Sequence, residues 1–207
     1  MELIEKILSE ENLQKAIRKV KKNKGAPGVD KMTVQEVEQW FNQYKEDLIS
    51  KILNKQYKPM PVKRVYIPKP NGKQRPLGIP TVVDRVIQQA MLQVLSEIYE
   101  PIFSEHSYGF RPNRSAHMAM EEVLSYLNEG YEWIVDLDIE KFFDTVNHDK
   151  LISILRERVN DSKTLHLIRA YLQAGILDKG LVRSSTIGTP QGGPIRYAGH
   201  GIYLDSE

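Results

Sequence analysis

Trp133-Ile134-Val135-Asp136-Leu137-Asp138-Ile139-Glu140-Lys141-Phe142-Phe143-Asp144 sets three carboxylates at alternate positions of a run that otherwise reads as a buried strand. In an extended chain Ile134, Asp136, Asp138 and Glu140 share one side, and Val135, Leu137 and Ile139 the other. Unpaired carboxylates are costly to desolvate. Acids on such a strand therefore need a cationic partner, rich hydrogen bonding or a divalent ion such as Mg2+, which takes one or two carboxylates together with substrate phosphates. A half-exposed strand with its acids in water fits the same pattern.

The chain around this stretch is ordinary globular material: 207 residues, 41% of them hydrophobic, enough for one domain or two interleaved lobes. No cysteine is present, which removes disulfides and thiolate zinc sites and suits a cytoplasmic location. No apolar run approaches the roughly 18 residues that span a membrane, and the start lacks a secretory signal pattern, so no membrane association is expected. Net charge is +2, unevenly spread. Residues 1–50 carry nine basic and nine acidic residues, 51–80 eight basic and no acidic, and the remainder twelve against eighteen. The central block is a candidate phosphate-contacting surface or a solvated face, and the acids lie where a metal would sit.

Ser9 precedes a helical pattern burying Leu13, Ala16, Ile17 and Val20, which ends at Gly25. Gly25-Ala26-Pro27-Gly28 reads as a tight loop, more readily turn punctuation than a phosphate cradle. Thr33 and Glu36, in capping-box spacing, introduce a helix expected to bury Val37, Trp40, Phe41, Tyr44 and Leu48. Val62–Ile67 and Lys73–Leu77 form strands around Asn71-Gly72, a hairpin signal, and their prolines place that hairpin at a sheet edge. The hairpin tip would project Lys69, Lys73 and Arg75, a geometry suited to polyphosphate. After Thr81 the apolar stripe Val83, Val86, Ile87, Ala90, Met91, Val94, Leu95 and Ile98 is core. Tyr108-Gly109-Phe110-Arg111-Pro112-Asn113-Arg114 interleaves aromatics and arginines, as stacking on single-stranded bases requires, although the rings equally suit anchoring the loop. A helix capped by Ser115, helices over 148–158 and 165–174, and a strand near 180–186 follow. Lys63, Arg64, Lys73, Arg111 and Arg114 are the candidate nucleic-acid contacts.

Taken in order, Gly25–Asp30, Tyr66–Pro80 (YIPKPNGKQRPLGIP), Tyr108–Pro112 (YGFRP), Asp136–Asp144 (DLDIEKFFD) and Thr189–Pro194 (TPQGGP) resemble the amino-terminal reverse transcriptase domain of group II intron-encoded proteins, or maturases. The resemblance runs from about residue 20 to Ile195. It implies an α+β right-hand polymerase fold, with fingers over 1–112 (basic hairpin 62–79), partial palm over 113–145, and a fingers/palm return segment over 146–194. It implies an RNA-directed DNA polymerase that extends a DNA primer on an RNA template from dNTPs. Two Mg2+ ions, or Mn2+ in their place, would align the reacting groups, and intron RNA would be a partner. Asp138 then matches the catalytic metal ligand, joined by the Ile139 carbonyl. Phe143 matches the position that excludes a ribose 2′-hydroxyl. Lys69 and Arg75 match the residues that hold the triphosphate, and Gln191 the one beside the nascent base pair. Asp136 and Asp144 are expected to be structural.

The sequence departs from that family where a Tyr-Ala-Asp-Asp box is expected. Arg196-Tyr197-Ala198 is followed by Gly199 and His200, so 195–207 reads as an aberrant tail, with the second catalytic palm strand, thumb and maturase region absent. Asp138 alone cannot hold two cations about 3.5–4 Å apart. The isolated chain is therefore expected to be inactive, with a homodimer through an exposed strand edge as one outcome. The alternatives are a non-catalytic intron-RNA-binding module and a gene remnant.

Overall fold

The computed structural model describes residues 2–68, 70, 72–139, 142–184 and 187–189. Helix α1 (Leu3–Ile7) and α2 (Glu10–Lys22) lead into α3 (Val37–Leu53), and strands β1 (Val62–Pro68) and β2 (Gln74–Ile79) follow. Next come α4 (Val82–Tyr99), a 3-10 turn (Glu100–Ile102), α5 (Ala116–Asn128), α6 (Phe142–Thr145), α7 (His148–Arg156) and α8 (Ser162–Leu172). Strands β3 (Ile176–Asp178) and β4 (Leu181–Arg183) complete the described elements.

Helix α4 is the axis of the core. The Thr81 hydroxyl caps it by accepting from the Asp84 amide, and Val82, Val86, Ile87, Ala90, Met91, Val94 and Leu95 are all buried. Burial runs nearly all the way round, as expected of a helix wrapped by others. The expected stripe of α2 packs on it, and Ile4 and Ile7 of α1, which sequence periodicity did not reveal, fill the space beside them. In α3 the expected burial holds for Val37, Phe41 and Leu48. Tyr44 instead lies on the surface, its ring 5.3 Å from that of half-buried Trp40. The Thr33 amide and hydroxyl both bond to Glu36, but the helix begins one turn later than that box implies.

The sheet has the order β2-β1-β3-β4. β1 pairs antiparallel with β2 and parallel with β3, and β3 pairs antiparallel with β4. Proline-containing β2 is an edge strand, as expected. The single strand expected near 180–186 is instead the two short strands β3 and β4, joined by Lys179 and Gly180, both at positive φ as a two-residue hairpin turn requires.

The largest departure is the acidic stretch. Residues 131–139 belong to no strand and all are exposed, Trp133 at 93% and Leu137 at 89%. An extended segment draws its backbone hydrogen bonds from a neighbour, and among the described residues none lies alongside. The preceding helix α5 forms as predicted, with Ser115 accepting from the Met118 amide, yet buries no residue.

Candidate functional site

The β1–β2 register decides which hairpin side chains can act together. Ile67 faces Arg75, Val65 faces Leu77 and Lys63 faces Ile79, so Lys63 and Arg75 share one face of the ribbon. Arg64, opposite Gly78, lies on the other face with Tyr66, whose hydroxyl donates to Asp178 at 2.9 Å. That bond, with Asp178 beside it, raises the Tyr66 hydroxyl pKa. Lys63 and Arg64 therefore cannot both contact one strand of nucleic acid from one side. Lys73 and Arg75 are exposed at the tip end, where the connection spans 69–73 and Gly72 takes φ +75°, longer than a two-residue turn. Lys69 lies outside the described residues.

Arg111 is placed differently from expectation. Its Nε donates to Glu100 Oε1 at 3.0 Å, its Nη1 to the Ser104 and Ser107 carbonyls, and its Nη2 to the Glu100 carbonyl. The guanidinium also sits 5.3 Å from the Phe103 ring centre. With its side chain 8% exposed, Arg111 organises the 103–112 loop and is not available to a phosphate. Arg114 remains half-exposed, stacked over Tyr108 at 5.5 Å. Phe110 is presented to solvent at 72% exposure with φ +59°, an unusual backbone state for a bulky residue.

Asp136 and Asp138 are exposed, as is Ile139. Among the described residues no three His, Cys, Asp or Glu side chains gather as a cation site. The described acids therefore do not fit a complete two-ion centre.

The end of the acidic stretch does meet the TPQGG box. Thr189 N–H donates to the Phe143 carbonyl at 2.7 Å, and Gly188 N–H to the Val146 carbonyl at 2.9 Å. Buried His148, at the start of α7, places Nε2 2.6 Å from the Gly188 carbonyl. A carbonyl only accepts, so Nε2 carries the hydrogen. Gly188 is required twice over: φ is +83°, and a Cβ would lie 2.8 and 2.9 Å from the Phe143 and Asp144 carbonyl oxygens. Half-buried Phe143 is thus tied to a segment two residues before Gln191, which itself lies outside the described residues, as does Ile195.

One buried feature escaped the sequence. Asp84, 1% exposed, accepts from the Thr81 and Tyr57 hydroxyls at 2.6 Å, the Tyr171 hydroxyl at 3.2 Å and the Met60 amide at 3.3 Å. Burial pushes its carboxyl above the usual carboxylate range against the pull of those donors, and pushes both tyrosine hydroxyls up. The network locks the entry to β1 onto α4 and α8, which fixes how the hairpin leaves the core. The Gly25–Gly28 loop is the tight turn that the sequence predicts, with only Gly28 buried. A Cβ on Gly28 would lie 2.7–2.9 Å from the Pro80–Thr81 backbone, and Arg85 Nη2 donates to the Ala26 carbonyl. The loop seals the start of α4 and serves packing.

The family described as reverse transcriptase (RNA-dependent DNA polymerase) matches residues 67–196. Protein YkfC of Escherichia coli K12 is 40% identical over 199 residues, 93% of this chain and 52% of that protein. Group II intron-encoded protein LtrA of Lactococcus lactis subsp. cremoris is 40% identical over 166 residues, 78% of this chain and 28% of that protein. The chain thus spans about half the length of the first relative and under a third of the second. In a solved structure, the partial Cas6-RT-Cas1–Cas2 complex, one chain superposes with a TM-score of 0.66 at 24% identity, covering all of this chain and 34% of that one. This shows the shared fold. No helix among the described residues is long and apolar enough to cross a membrane.

Proposed function

Since this chain belongs to the reverse transcriptase (RNA-dependent DNA polymerase) family, in its group II intron branch, we propose that it supplies the fingers and part of the palm of an RNA-directed DNA polymerase. Fingers over 1–112, partial palm over 113–145 and a return segment over 146–194 belong to this proposal. The observation that carries it is the bonded contact between the Phe143–Val146 backbone and Gly188–Thr189, which brings two separate family boxes to one place. In this reading Phe143 and Gln191 border the incoming nucleotide. Lys69, Lys73 and Arg75 on the hairpin meet its triphosphate, while Arg114 and exposed Phe110 receive an unpaired template base. Intron RNA, an RNA template with its DNA primer, and dNTP are the partners, in the cytoplasm.

The family's divalent cation, Mg2+ or Mn2+, would supply charge neutralisation at the transferring phosphate. Asp138 and the Ile139 carbonyl are this chain's share of its site. Because no three His, Cys, Asp or Glu side chains gather as a cation site among the described residues, further carboxylates are needed to complete that site, and the chain alone is expected not to polymerise. Primer extension on an RNA template with Mg2+ tests this: incorporation should not exceed that of Asp138→Ala, and robust Asp138-dependent synthesis would refute it.

The all-basic block over 51–80 favours a second reading, a non-catalytic module that binds intron RNA in splicing. It gains support if RNA binding is steeply salt-dependent while extension stays absent even when a complete palm is supplied. The uncovered apolar residues of α5 and 131–139 support self-association of the isolated chain, to be read by sedimentation.

A further inference from the structure

Away from the hairpin and the acidic stretch, α7, α8 and the end of α3 enclose an open hollow of about 280 Å³. Four basic side chains line it: Lys55 just past α3, Arg156 in the last turn of α7, and His166 and Arg169 on α8. None belongs to the residues assigned above to nucleotide, template or metal.

Two of its cations, Lys55 and Arg156, make no ion pair among the described residues. The one acid in the lining, Asp161, is consumed by the fold. Its carboxylate accepts from the Ile4 amide at 2.7 Å, the Lys163 amide at 2.9 Å and the Thr164 hydroxyl at 2.8 Å. Lys55 Nζ lies 3.2 Å from Ser162 Oγ, which leans the ammonium over the hollow without neutralising it. The exposed Arg156 side chain makes no hydrogen bond or ion pair among the described residues. Arg169 is held by Asp149 at 2.7 Å.

The apolar lining, Ile152, Val159 and Leu165, is buried beneath this rim. A protein partner would need an aromatic or aliphatic anchor to seat. The hollow offers cations over a closed floor, which suits a polyanion whose charge recurs along a backbone. We propose that this hollow is a second RNA-backbone contact, holding phosphates of a strand that the hairpin does not reach. The proposal rests on the RNA-binding reading above and adds a surface that the reading does not require.

The test is fluorescence anisotropy of a labelled single-stranded RNA titrated with the 207-residue chain over a range of KCl. The double variant Lys55→Asn, Arg156→Gln removes the two unpaired charges, and asparagine tolerates the left-handed backbone at residue 55, where φ is +58°. At about 0.7 per neutralised phosphate, losing two contacts lowers the log–log salt slope by about 1.4 and weakens binding about 25-fold at 0.1 M salt. The charge-retaining pair Lys55→Arg, Arg156→Lys should keep the wild-type slope. Binding within threefold and an unchanged slope in the neutral variant, with Lys73→Gln, Arg75→Gln still losing affinity, overturns the hollow and leaves the RNA-binding reading standing. A flat salt profile for the unmodified chain removes both. Competition by poly-glutamate as strong as by unlabelled RNA assigns the hollow to an acidic protein surface and overturns the RNA proposal.

Discussion

Gly188→Ala tests the join between the two family boxes at its tightest point. The substitution forces an L-residue to φ +83°, about 1–2 kcal/mol in the left-handed region, and drives a Cβ into two backbone carbonyl oxygens at 2.8 and 2.9 Å. The Phe143 carbonyl cannot swing aside freely, because its oxygen is the acceptor for the Thr189 amide. Relief comes by releasing the segment, which breaks three hydrogen bonds: Gly188 to Val146, Thr189 to Phe143, and His148 to Gly188. At roughly 0.5–1.5 kcal/mol each they hold about 3 kcal/mol, close to the strain they oppose, so the segment should detach. The rest of the core does not depend on it. The urea midpoint should therefore move by under about 1 kcal/mol of stability, while local opening rises steeply. Amide hydrogen exchange read by NMR should show Thr189 exchanging about 100-fold faster in the variant, at about 1.4 kcal/mol per tenfold. His148→Ala, which removes one of the three bonds without strain, should give a smaller acceleration. A Thr189 amide protected to within threefold of wild type in Gly188→Ala would show that the contact does not tie Phe143 to the TPQGG box.

Arg111→Gln should destabilise the chain by about 2–3 kcal/mol, since it strips a nearly buried guanidinium from Glu100 and three carbonyls, yet should leave the salt slope of RNA binding unchanged. A reduced slope in a folded variant would restore Arg111 as a phosphate contact. Asp161 predicts the acid limb of stability. Burial raises its carboxyl, but the Thr164 hydroxyl and the amides of Ile4, Lys163 and Thr164 outweigh that and hold it below its usual value. A lowered folded pKa gives stability that is present above the ordinary value of about 3.9 and lost as pH falls through the lowered one. Asp161→Asn should flatten that loss in urea titrations below about pH 4. Asp161→Ala should cost about 1–2 kcal/mol at neutral pH through the lost cap of α8. Identical pH profiles for wild type and Asp161→Asn would contradict the assignment.

The helices were legible because their evidence is local. Ser115 and Thr81 both announce helix starts by residue type and both cap as expected, and the stripe of α4 recurs at helical spacing. The pattern gives a single strand near 180–186 and misses the Lys179-Gly180 turn, since three-residue β3 is too short to show a period. In the sequence nothing sets Asp84 apart from any acid in the first turn of a helix. Its meaning depends on Tyr57 and Tyr171, 27 and 87 positions away, which no periodicity connects. Arg111 misled for the same reason. An arginine beside aromatics reads as a base-stacking residue until Glu100 and the Ser104 and Ser107 carbonyls close around it.

The acidic stretch and the helix before it show why one kind of element survived intact and the other did not. Residues 116–128 bury no side chain and residues 131–139 are all exposed, and pattern alone predicts both elements. A helix closes its own backbone hydrogen bonds four residues apart, so α5 forms with no side chain buried. A strand closes none of its own, so alternation of Asp136, Asp138 and their apolar neighbours specifies which faces would be covered without supplying the ladder that makes an edge into a sheet. The same covering layer would therefore affect the two unequally. It would add burial to an α5 already wound, but it would create the strand at 133–139 outright and, with it, the fixed aim of Asp138 that a metal ligand requires.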